Sequence, residues 1–256
     1  MATQDIKKGQ MILEIPSELA LPVGKGFTEP GMAAIDLLKE WYNPVSRWRP
    51  YLDLLPSKDS SEMSTTDYFN EEELAMLQWK PVQDETRARL KKLRELYEDV
   101  VKVQAEMGTF HGRDVAFEDL VWASTMIISR TFTVAGSDGG EIKLLAPLLD
   151  LANHKSDSRH QLSGRLVAGG SLRVVAAADV PMGSQVCYEY MGGEATSARL
   201  IQDYGFLDTE GTRAQDLQML SAPGAAPHVE ALLRETTAEQ DRQLLAQAAA
   251  GGGAGP

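Results

Sequence analysis

The chain has 256 residues, with 25 Lys or Arg and 37 Asp or Glu, which gives a formal net charge of −12. That balance argues against a general nucleic-acid binder, because such proteins need a basic surface to neutralise phosphates. The single cysteine, Cys187, excludes a disulfide framework and the cysteine-rich zinc clusters. Only four histidines remain as metal ligands, so we expect no metal site and a reducing, intracellular setting.

The chain starts just before a strand. Asp5-Ile6-Lys7-Lys8-Gly9 is typical of a turn that leads into an alternating strand over residues 11–15. The residues before it lack the apolar core of a secretion signal, and no stretch approaches the roughly 18 to 20 apolar residues that span a bilayer. We expect a protein that does not associate with membranes and whose first element is truncated.

The next hundred residues are predicted to be mainly helical. After a Pro- and Gly-punctuated loop over residues 17–31, residues 32–112 carry helix-forming patterns. Asn70 precedes three glutamates, as an N-cap precedes the acids of a first turn. The strongest helix covers residues 84–105, where the apolar residues recur at three- and four-residue spacing, and a more apolar helix follows over residues 117–129.

From Glu141 onward the period changes to two, which is typical of short strands separated by Gly, Asp, Ser and Pro. The predicted strand segments are residues 142–145, 165–167, 172–176 and 185–190. A short helical segment over residues 197–202 leads into Asp203-Tyr204-Gly205-Phe206. Residues 228–247 are compatible with one amphipathic helix, and residues 248–256 are a low-complexity Ala/Gly tail that we expect to be disordered.

One pattern occurs twice. Asp5-Ile6 is followed by Gly9 and a strand, and Asp179-Val180 is followed by Gly183 and a strand. Asp opening and Gly closing a turn is common, but two copies that flank a helical region are less so. The repetition predicts one β-rich core, interrupted by a helical insertion, that contains both turns.

The usual catalytic motifs are absent from the sequence. No glycine cluster has the Lys-Ser/Thr of a phosphate-binding loop, and no Gly-x-Ser-x-Gly elbow occurs. Cys187 lies in a predicted strand and is interpreted as a small core residue. His111, His160 and His228 are isolated and have no metal-ligand spacing.

The remaining motifs lie between residues 129 and 206, and their order is informative. They are Ser129-Arg130-Thr131-Phe132, then Leu149-Asp150-Leu151-Ala152-Asn153-His154, then Tyr190, and finally Asp203-Tyr204-Gly205-Phe206. Together with the Asp-x-x-x-Gly turn and the helical region, this order resembles the SET-domain methyltransferases. It is most similar to the branch with the Rubisco large-subunit lysine methyltransferase and the actin histidine methyltransferase. Trp48-Arg49-Pro50-Tyr51 and Asn70-Glu71-Glu72-Glu73 resemble that branch's helical insert.

The resemblance implies an α+β, SET-type fold of short β segments with an inserted helical subdomain and a pseudo-knotted C-terminal site. The implied divisions are the start of the SET core (1–29, truncated), a helical insert (30–125), the rest of the core (126–215), a remnant of the substrate-binding region (216–247) and the tail (248–256). The glycine-rich loop that precedes the first turn in the family lies outside this sequence.

The activity implied is transfer of a methyl group from S-adenosyl-L-methionine to a protein side-chain nitrogen, first of all lysine, with histidine as an alternative. The resemblance assigns catalysis to Tyr204 and cofactor binding to Asn153, His154, Arg130, Tyr204 and Phe206. It assigns substrate binding to Asp150, Tyr190 and Arg130, with no metal. By spacing alone, each of these has an ordinary structural interpretation, such as a core tyrosine or a loop pair.

The expected partner is a protein that presents a lysine or histidine, with no nucleic acid, no membrane and a monomeric state. The expected location is the cytoplasm or nucleus, or the chloroplast if a transit segment precedes the chain. Two alternatives stay open. One is a SET-fold protein that binds a partner with weak or no turnover, and the other is an unrelated α+β binding module.

Overall fold

The computed structural model describes residues 1–59, 63–135, 140–156, 162–167, 171–208, 211–229 and 246. The strands are β1 (Met11–Pro16), β2 (Leu21–Lys25), β3 (Thr131–Ala135), β4 (Glu141–Leu145), β5 (Asn153–His154), β6 (Leu162–Val167), β7 (Ser171–Ala176) and β8 (Cys187–Tyr188). The α-helices are α1 (Pro30–Tyr42), α2 (Arg49–Leu52), α3 (Glu71–Met76), α4 (Lys80–Leu96), α5 (Lys102–Glu106), α6 (Phe117–Arg130), α7 (Ser197–Tyr204) and α8 (Arg213–Leu220). No helix in these ranges is long and apolar enough to cross a membrane.

The chain divides into two compact units. The first unit contains residues 1–63 and 90–190, and the second unit contains residues 64–89 and 191–256. Residues 230–245 and 247–256 lie outside the described part of the chain, and with them most of the predicted amphipathic helix and the whole predicted tail. The division into a SET core, an insert and a substrate-binding remnant stays a prediction.

All the strands belong to the first unit. One antiparallel sheet has the order β1-β7-β6, a second has the order β2-β4-β3, and β5 pairs with β8 in parallel. Ile15 and Val174 of the first sheet share a buried cluster with Leu144 of the second and with Leu149. The turn that carries Leu149 is therefore fixed against the core of both sheets.

Three of these strands, β2, β3 and β5, fall where the sequence predicted none. Residues 17–31 were interpreted as loop because of their Pro and Gly content, but β2 lies within them and pairs with β4. Leu21 and Val23 of β2 are 2% and 0% exposed, so burial against the sheet overrides the local breaker signal. β3 was likewise not expected, and it pairs with β4 in register from Thr131↔Leu145 to Ala135↔Glu141.

The two repeated turns lie together, which confirms their predicted placement in one core. Ile6 and Val180 exchange backbone hydrogen bonds of 2.8 and 2.9 Å. The Asp179 carboxylate accepts from the Lys8 N–H at 2.8 Å, and in the same way the Asp5 carboxylate accepts from the Met182 N–H at 2.9 Å. Each aspartate thus satisfies a backbone donor of the opposite turn, and β1 and β7 continue the pairing.

The helices of the first unit pack through α1 and α6. Helix α6 begins at Phe117 as expected and ends at Arg130, one residue beyond the predicted end. The Trp122 ring lies 4.4 Å from that of Trp41, and its indole N–H donates to the Pro56 carbonyl at 2.9 Å. Asp119 caps the helix by accepting from the Ala116 N–H at 2.8 Å. This packing fixes the axis of α6 and so the position of Arg130 at its end.

Two helical predictions are confirmed, one of them with a local change. Asn70 caps α3, where its side chain accepts from the Glu73 N–H at 2.9 Å and the Glu73 carboxylate accepts from the Asn70 N–H at 2.8 Å. The long helix predicted from residue 84 begins at Lys80, and a π-helical segment, Tyr97–Val101, separates α4 from α5. The apolar period does not reveal that π-helical turn.

We predict that Gly183→Ala destabilises the protein by about 1 to 2 kcal/mol, because Gly183 has a φ of 81° and a left-handed conformation costs other residues about that much. A new methyl group would contact nothing within 4 Å, so the cost comes from the backbone alone. Gly224→Ala is the matched control, since its site is equally open and its φ is not positive. Urea unfolding measures both, and equal midpoints would contradict the explanation.

Candidate functional site

The structure places the seven predicted site residues in two groups. Five of them lie in the first unit: Arg130, Asp150, Asn153, His154 and Tyr190. Tyr204 and Phe206 lie in the second unit. The roles assigned to them stay predictions, and each group is described by its own contacts.

A buried charged cluster joins Arg130 to Asp150. Arg130 is the last residue of α6, and Asp150 lies in the 3₁₀ turn Leu149–Leu151. The guanidinium Nη1 lies 3.7 Å from the Asp150 Oδ2 and donates to the Asp150 backbone carbonyl at 3.3 Å. The Asp150 side chain is 1% exposed. The fold therefore brings these two predicted site residues together although they are 20 positions apart in the sequence.

A third member of the cluster is Tyr51, which the sequence did not single out. Its hydroxyl donates to the Asp150 Oδ2 at 2.8 Å, and the hydrogen bond is buried. Tyr51 lies in α2, within the Trp48–Pro56 stretch that resembles the family's insert. That resemblance was the one feature of the sequence that drew attention to Tyr51, but only the fold shows that Tyr51 contacts Asp150.

Burial decides the electrostatics of the cluster. Desolvation raises the pKa of the Asp150 carboxyl above its ordinary value, while the Tyr51 hydroxyl and the Arg130 charge act in the opposite direction. Desolvation, together with the Asp150 carboxylate, also raises the pKa of Tyr51, so the phenol stays protonated and remains a donor.

Two polar atoms of this cluster have no partner in the part of the chain that the structure describes. Among the described residues, neither the Arg130 Nε nor the Asp150 Oδ1 has a hydrogen-bond partner, although both are buried. Unsatisfied buried polar atoms are rare because each costs desolvation free energy, so each needs an explanation, such as a bound water, ion or ligand or a role in catalysis. An N–H donor and a carboxylate oxygen together suit a ligand that carries both an anionic and a cationic group.

His154 is oriented by its neighbours. The Tyr190 backbone N–H donates to the His154 Nδ1 at 3.0 Å, so Nδ1 is the acceptor. The neutral ring then carries its proton on Nε2, which lies 2.8 Å from the Ser156 hydroxyl oxygen. His154 and Asn153 form β5, and their backbones pair with Tyr188 and Cys187. The strand segments predicted from the sequence do not include this pair, and the structure shows it as a short strand of its own.

An aromatic group surrounds His154. The Tyr190 ring lies 5.1 Å from the His154 ring and 4.7 Å from that of Tyr188, which in turn lies 5.7 Å from Phe132. The Tyr190 hydroxyl donates to the Ala152 carbonyl at 3.0 Å. Burial raises the pKa of Tyr190, so this phenol is neutral near pH 7. The group therefore presents apolar ring surface, and its Tyr190 phenol is uncharged.

Tyr204 is the last residue of α7. Gly205 follows it as the C-cap with a φ of 78°, and its N–H donates to the Ile201 carbonyl at 3.2 Å. The Phe206 ring lies 6.3 Å from the Tyr204 ring in an edge-on arrangement. The Asp-Tyr-Gly-Phe motif thus encodes a helix end at which Gly supplies the left-handed residue.

We predict that Tyr51→Phe costs about 2 kcal/mol of stability, because it removes a buried hydrogen bond to a charged group. Tyr97→Phe is the matched control and should cost about 1 kcal/mol, because the Tyr97 hydroxyl donates to the neutral Val115 carbonyl. The hydrogen bond from Tyr51 favours the ionised form of Asp150 and lowers the pKa of Asp150. Removing the Tyr51 hydroxyl therefore raises this pKa, which burial has already raised. The extra cost is therefore present at neutral pH and disappears as acid protonates Asp150.

Chemical denaturation at several pH values measures this difference. A cost that does not change with pH, or that equals the cost of Tyr97→Phe at neutral pH, would contradict the conclusion that the Tyr51 hydroxyl favours the ionised form of Asp150.

No group of three or more His, Cys, Asp or Glu that could hold a metal ion occurs in the part of the chain that the structure describes. The donor set at the Arg130–Asp150 cluster is likewise one cation, one carboxylate and one phenol.

Comparisons with known proteins identify relatives of one kind. The chain is 27% identical over 251 residues to the chloroplastic fructose-bisphosphate aldolase-lysine N-methyltransferase of Arabidopsis thaliana, covering 89% of this chain and 49% of the relative. It is 27% identical over 231 residues to the actin-histidine N-methyltransferase of Papio anubis, covering 80% of this chain and 37% of that protein. It is 25% identical over 238 residues to the chloroplastic Rubisco large-subunit N-methyltransferase of Nicotiana tabacum, covering 83% and 46%. The chain spans less than half of each relative.

A solved structure has the same fold. The SET domain of LSMT bound to lysine and AdoHcy matches 97% of this chain and 68% of its own chain with a TM-score of 0.67, at 19% sequence identity. No family profile matches the sequence. The α+β fold and the resemblance that the motifs predicted are both confirmed by these matches. The chain therefore has the SET-domain fold, and its sequence relatives are lysine and histidine N-methyltransferases of the predicted branch.

Proposed function

We propose that this chain is the catalytic part of an S-adenosyl-L-methionine-dependent protein methyltransferase that modifies a side-chain nitrogen, most directly that of lysine. The observation that carries the proposal is the buried Arg130–Asp150 pair, whose Nε and Oδ1 atoms lack partners among the described residues. The first relative described above carries lysine in its name, and the SET domain of LSMT was solved with lysine bound, which together favour lysine over histidine.

The cofactor fits the residues of this cluster. Its methionine part carries a carboxylate and an ammonium group, which an arginine N–H donor and an aspartate oxygen complement. Arg130 supplies the donor and Asp150 the oxygen, and neither atom is satisfied by the described protein residues. When bound, the cofactor supplies an electrophilic methyl group on a sulfonium.

We assign the remaining roles from the family resemblance. Asn153 and His154 contact the cofactor through short strand β5, where the hydrogen bond from the Tyr190 N–H fixes the ring of His154. Phe206 adds a ring contact to the cofactor. Tyr190 contacts the substrate, and Arg130 and Asp150, which complement the charged groups of the cofactor, contact the substrate as well. Tyr204, at the end of α7, is the catalytic residue, whose hydroxyl orients the attacking nitrogen and also contacts the cofactor.

The lysine must lose its proton before it can act as a nucleophile. With a reference pKa near 10.4, releasing that proton at pH 7 costs roughly 4 to 5 kcal/mol. Apolar surroundings lower this cost because they disfavour the ammonium form. The rings of Tyr188, Tyr190 and Phe132 form such a surface, and the raised pKa of Tyr190 keeps an anionic phenolate out of it. Methyl transfer is an in-line displacement, so exclusion of water and positioning supply much of the acceleration.

The charge of the chain suits a basic substrate. The net charge of −12 favours the approach of a protein segment with a cationic side chain.

We further propose an intracellular location and action as a monomer. A reducing compartment is compatible with one buried cysteine, since burial raises the pKa of the Cys187 thiol and makes it less reactive. Two of the relatives are chloroplastic, so the chloroplast is one candidate compartment.

We predict that Tyr204→Phe lowers turnover by about a hundredfold and leaves cofactor affinity nearly unchanged, because the hydroxyl acts mainly in the transition state. The measurement combines transfer of a labelled methyl group to extract proteins or lysine-containing peptides with calorimetric titration of the cofactor. Tyr97→Phe, whose hydroxyl bonds to the Val115 carbonyl, is the matched control and should keep wild-type turnover.

Turnover of Tyr204→Phe within a factor of about three of wild type would remove Tyr204 from the mechanism. Cofactor binding without any labelled product in the wild-type chain would contradict the proposed activity and favour a SET-fold binding protein.

A further inference from the structure

We propose that Arg89 is a positioning residue for Tyr204: its guanidinium links the C-terminal turn of α7 to the Thr66–Tyr68 turn and thereby fixes the helix end that carries Tyr204. This inference rests on the proposed function, since it gives Arg89 a part in the reaction assigned to Tyr204. Arg89 belongs to α4, on a face that the sequence pattern indicates as charged and solvated, so composition gives no hint of this part.

The contacts of Arg89 converge on the residues before Tyr204. Its Nη1 donates to the Asp203 Oδ1 at 2.8 Å, and its Nη2 donates to the Gln202 carbonyl at 3.2 Å. On the other side, its Nε donates to the Asp67 Oδ1 at 2.8 Å. One planar guanidinium therefore binds three acceptors, two of which lie within the last turn of α7.

These groups are shielded from water. The side chains of Arg89, Asp67 and Asp203 are 17%, 2% and 12% exposed. Desolvation opposes the charge of Arg89, but the two carboxylates raise its pKa. Ion pairs at this depth are little weakened by salt and hold a defined geometry, unlike the many exposed pairs of the chain.

A second contact restrains the same helix end. The Ser64 hydroxyl donates to the Gly205 carbonyl at 3.0 Å. A methyl group on Gly205 would lie 2.8 Å from the Ser64 backbone carbon, so the two backbones meet without room for a side chain. Tyr204 therefore lies between two anchored residues, Asp203 held by Arg89 and Gly205 held by Ser64.

The segment that holds α7 is itself fixed to α4. The hydroxyls of Thr66 and Thr86 are 2.7 Å apart in a buried hydrogen bond. Arg199 also lies 3.5 Å from the Asp203 Oδ2, but it is 41% exposed, and its shorter bond, at 2.8 Å, goes to Glu85. Arg89 is thus the buried cation that joins Asp67, Asp203 and the backbone of α7.

The test compares Arg89→Lys with Arg87→Lys. Lysine keeps the charge but offers one ammonium group in place of the three-way guanidinium fork, so the protein is expected to fold and α7 to lose its double anchor. Arg87 lies two positions away on α4 and pairs with Glu71 at 2.7 Å, with side chains that are 40% and 73% exposed, and so provides the matched control. Both variants are made in the wild-type and the Tyr204→Phe backgrounds.

The first readout needs no activity. Amide hydrogen exchange of a peptide that covers the end of α7, including the Gly205 N–H, should be about tenfold faster in Arg89→Lys than in Arg87→Lys. If Arg89→Lys proves unstable, Asp67→Asn tests the same link, because it removes the anchor without touching α7. The proposal would be overturned if the peptide exchanged at the same rate in Arg87→Lys as in Arg89→Lys, or as in Asp67→Asn where that variant is used instead.

The second readout is kinetic. Arg89→Lys should lower kcat about tenfold or more with little change in the KM for the cofactor, and that loss should vanish in the Tyr204→Phe background because both changes act through one hydroxyl. A full tenfold loss on top of Tyr204→Phe would assign Arg89 a merely structural role and overturn the inference. Failure of Tyr204→Phe itself to slow the reaction would contradict the proposed function, and with it the positioning role, even where the exchange contrast holds.

Discussion

The pairing of the chain's first residues with residues 171–184 is the constraint on which the rest of the first unit depends. Lys7 and Asp179 form an ion pair across 172 positions, and the aspartate of each repeated turn caps a backbone N–H of the other. Closing so long a loop costs conformational entropy, which the strand pairing and the buried cluster around Ile15 and Val174 must offset. Once this pairing forms, Leu149 packs against the same core, and Asp150 is held beside the end of α6.

Both groups of candidate residues use one physical device, a partly or fully buried carboxylate held by an arginine. In the first unit Arg130 and Tyr51 hold Asp150, and in the second unit Arg89 holds Asp203. Such pairs contribute little net stability, because desolvation offsets much of the Coulomb attraction. Their value lies in defined geometry, which a reaction governed by positioning requires. Each arginine is fixed by its helix, so the helical packing determines where the carboxylates can lie.

The sequence alone predicts the parts of this protein whose signals are local. The Asn70 cap, the helix that begins at Phe117 and the paired Asp-x-x-x-Gly turns all follow from capping chemistry, period or repetition. Strand β2 was missed because its pairing with β4 overrides its Pro and Gly. Tyr51 and Arg89 were missed as site residues for a similar reason. Their partners lie 99 and 114 positions away, and no local pattern encodes such contacts.

Isothermal titration of the wild-type chain with S-adenosyl-L-methionine is the decisive experiment for the proposed methyltransferase, with Asn153→Ala as the comparison variant. We expect saturable binding of one cofactor per chain, and weaker binding in Asn153→Ala at nearly unchanged unfolding stability. The absence of any binding heat at about 1 mM cofactor, where even an affinity near −4 kcal/mol would be detected, would contradict it.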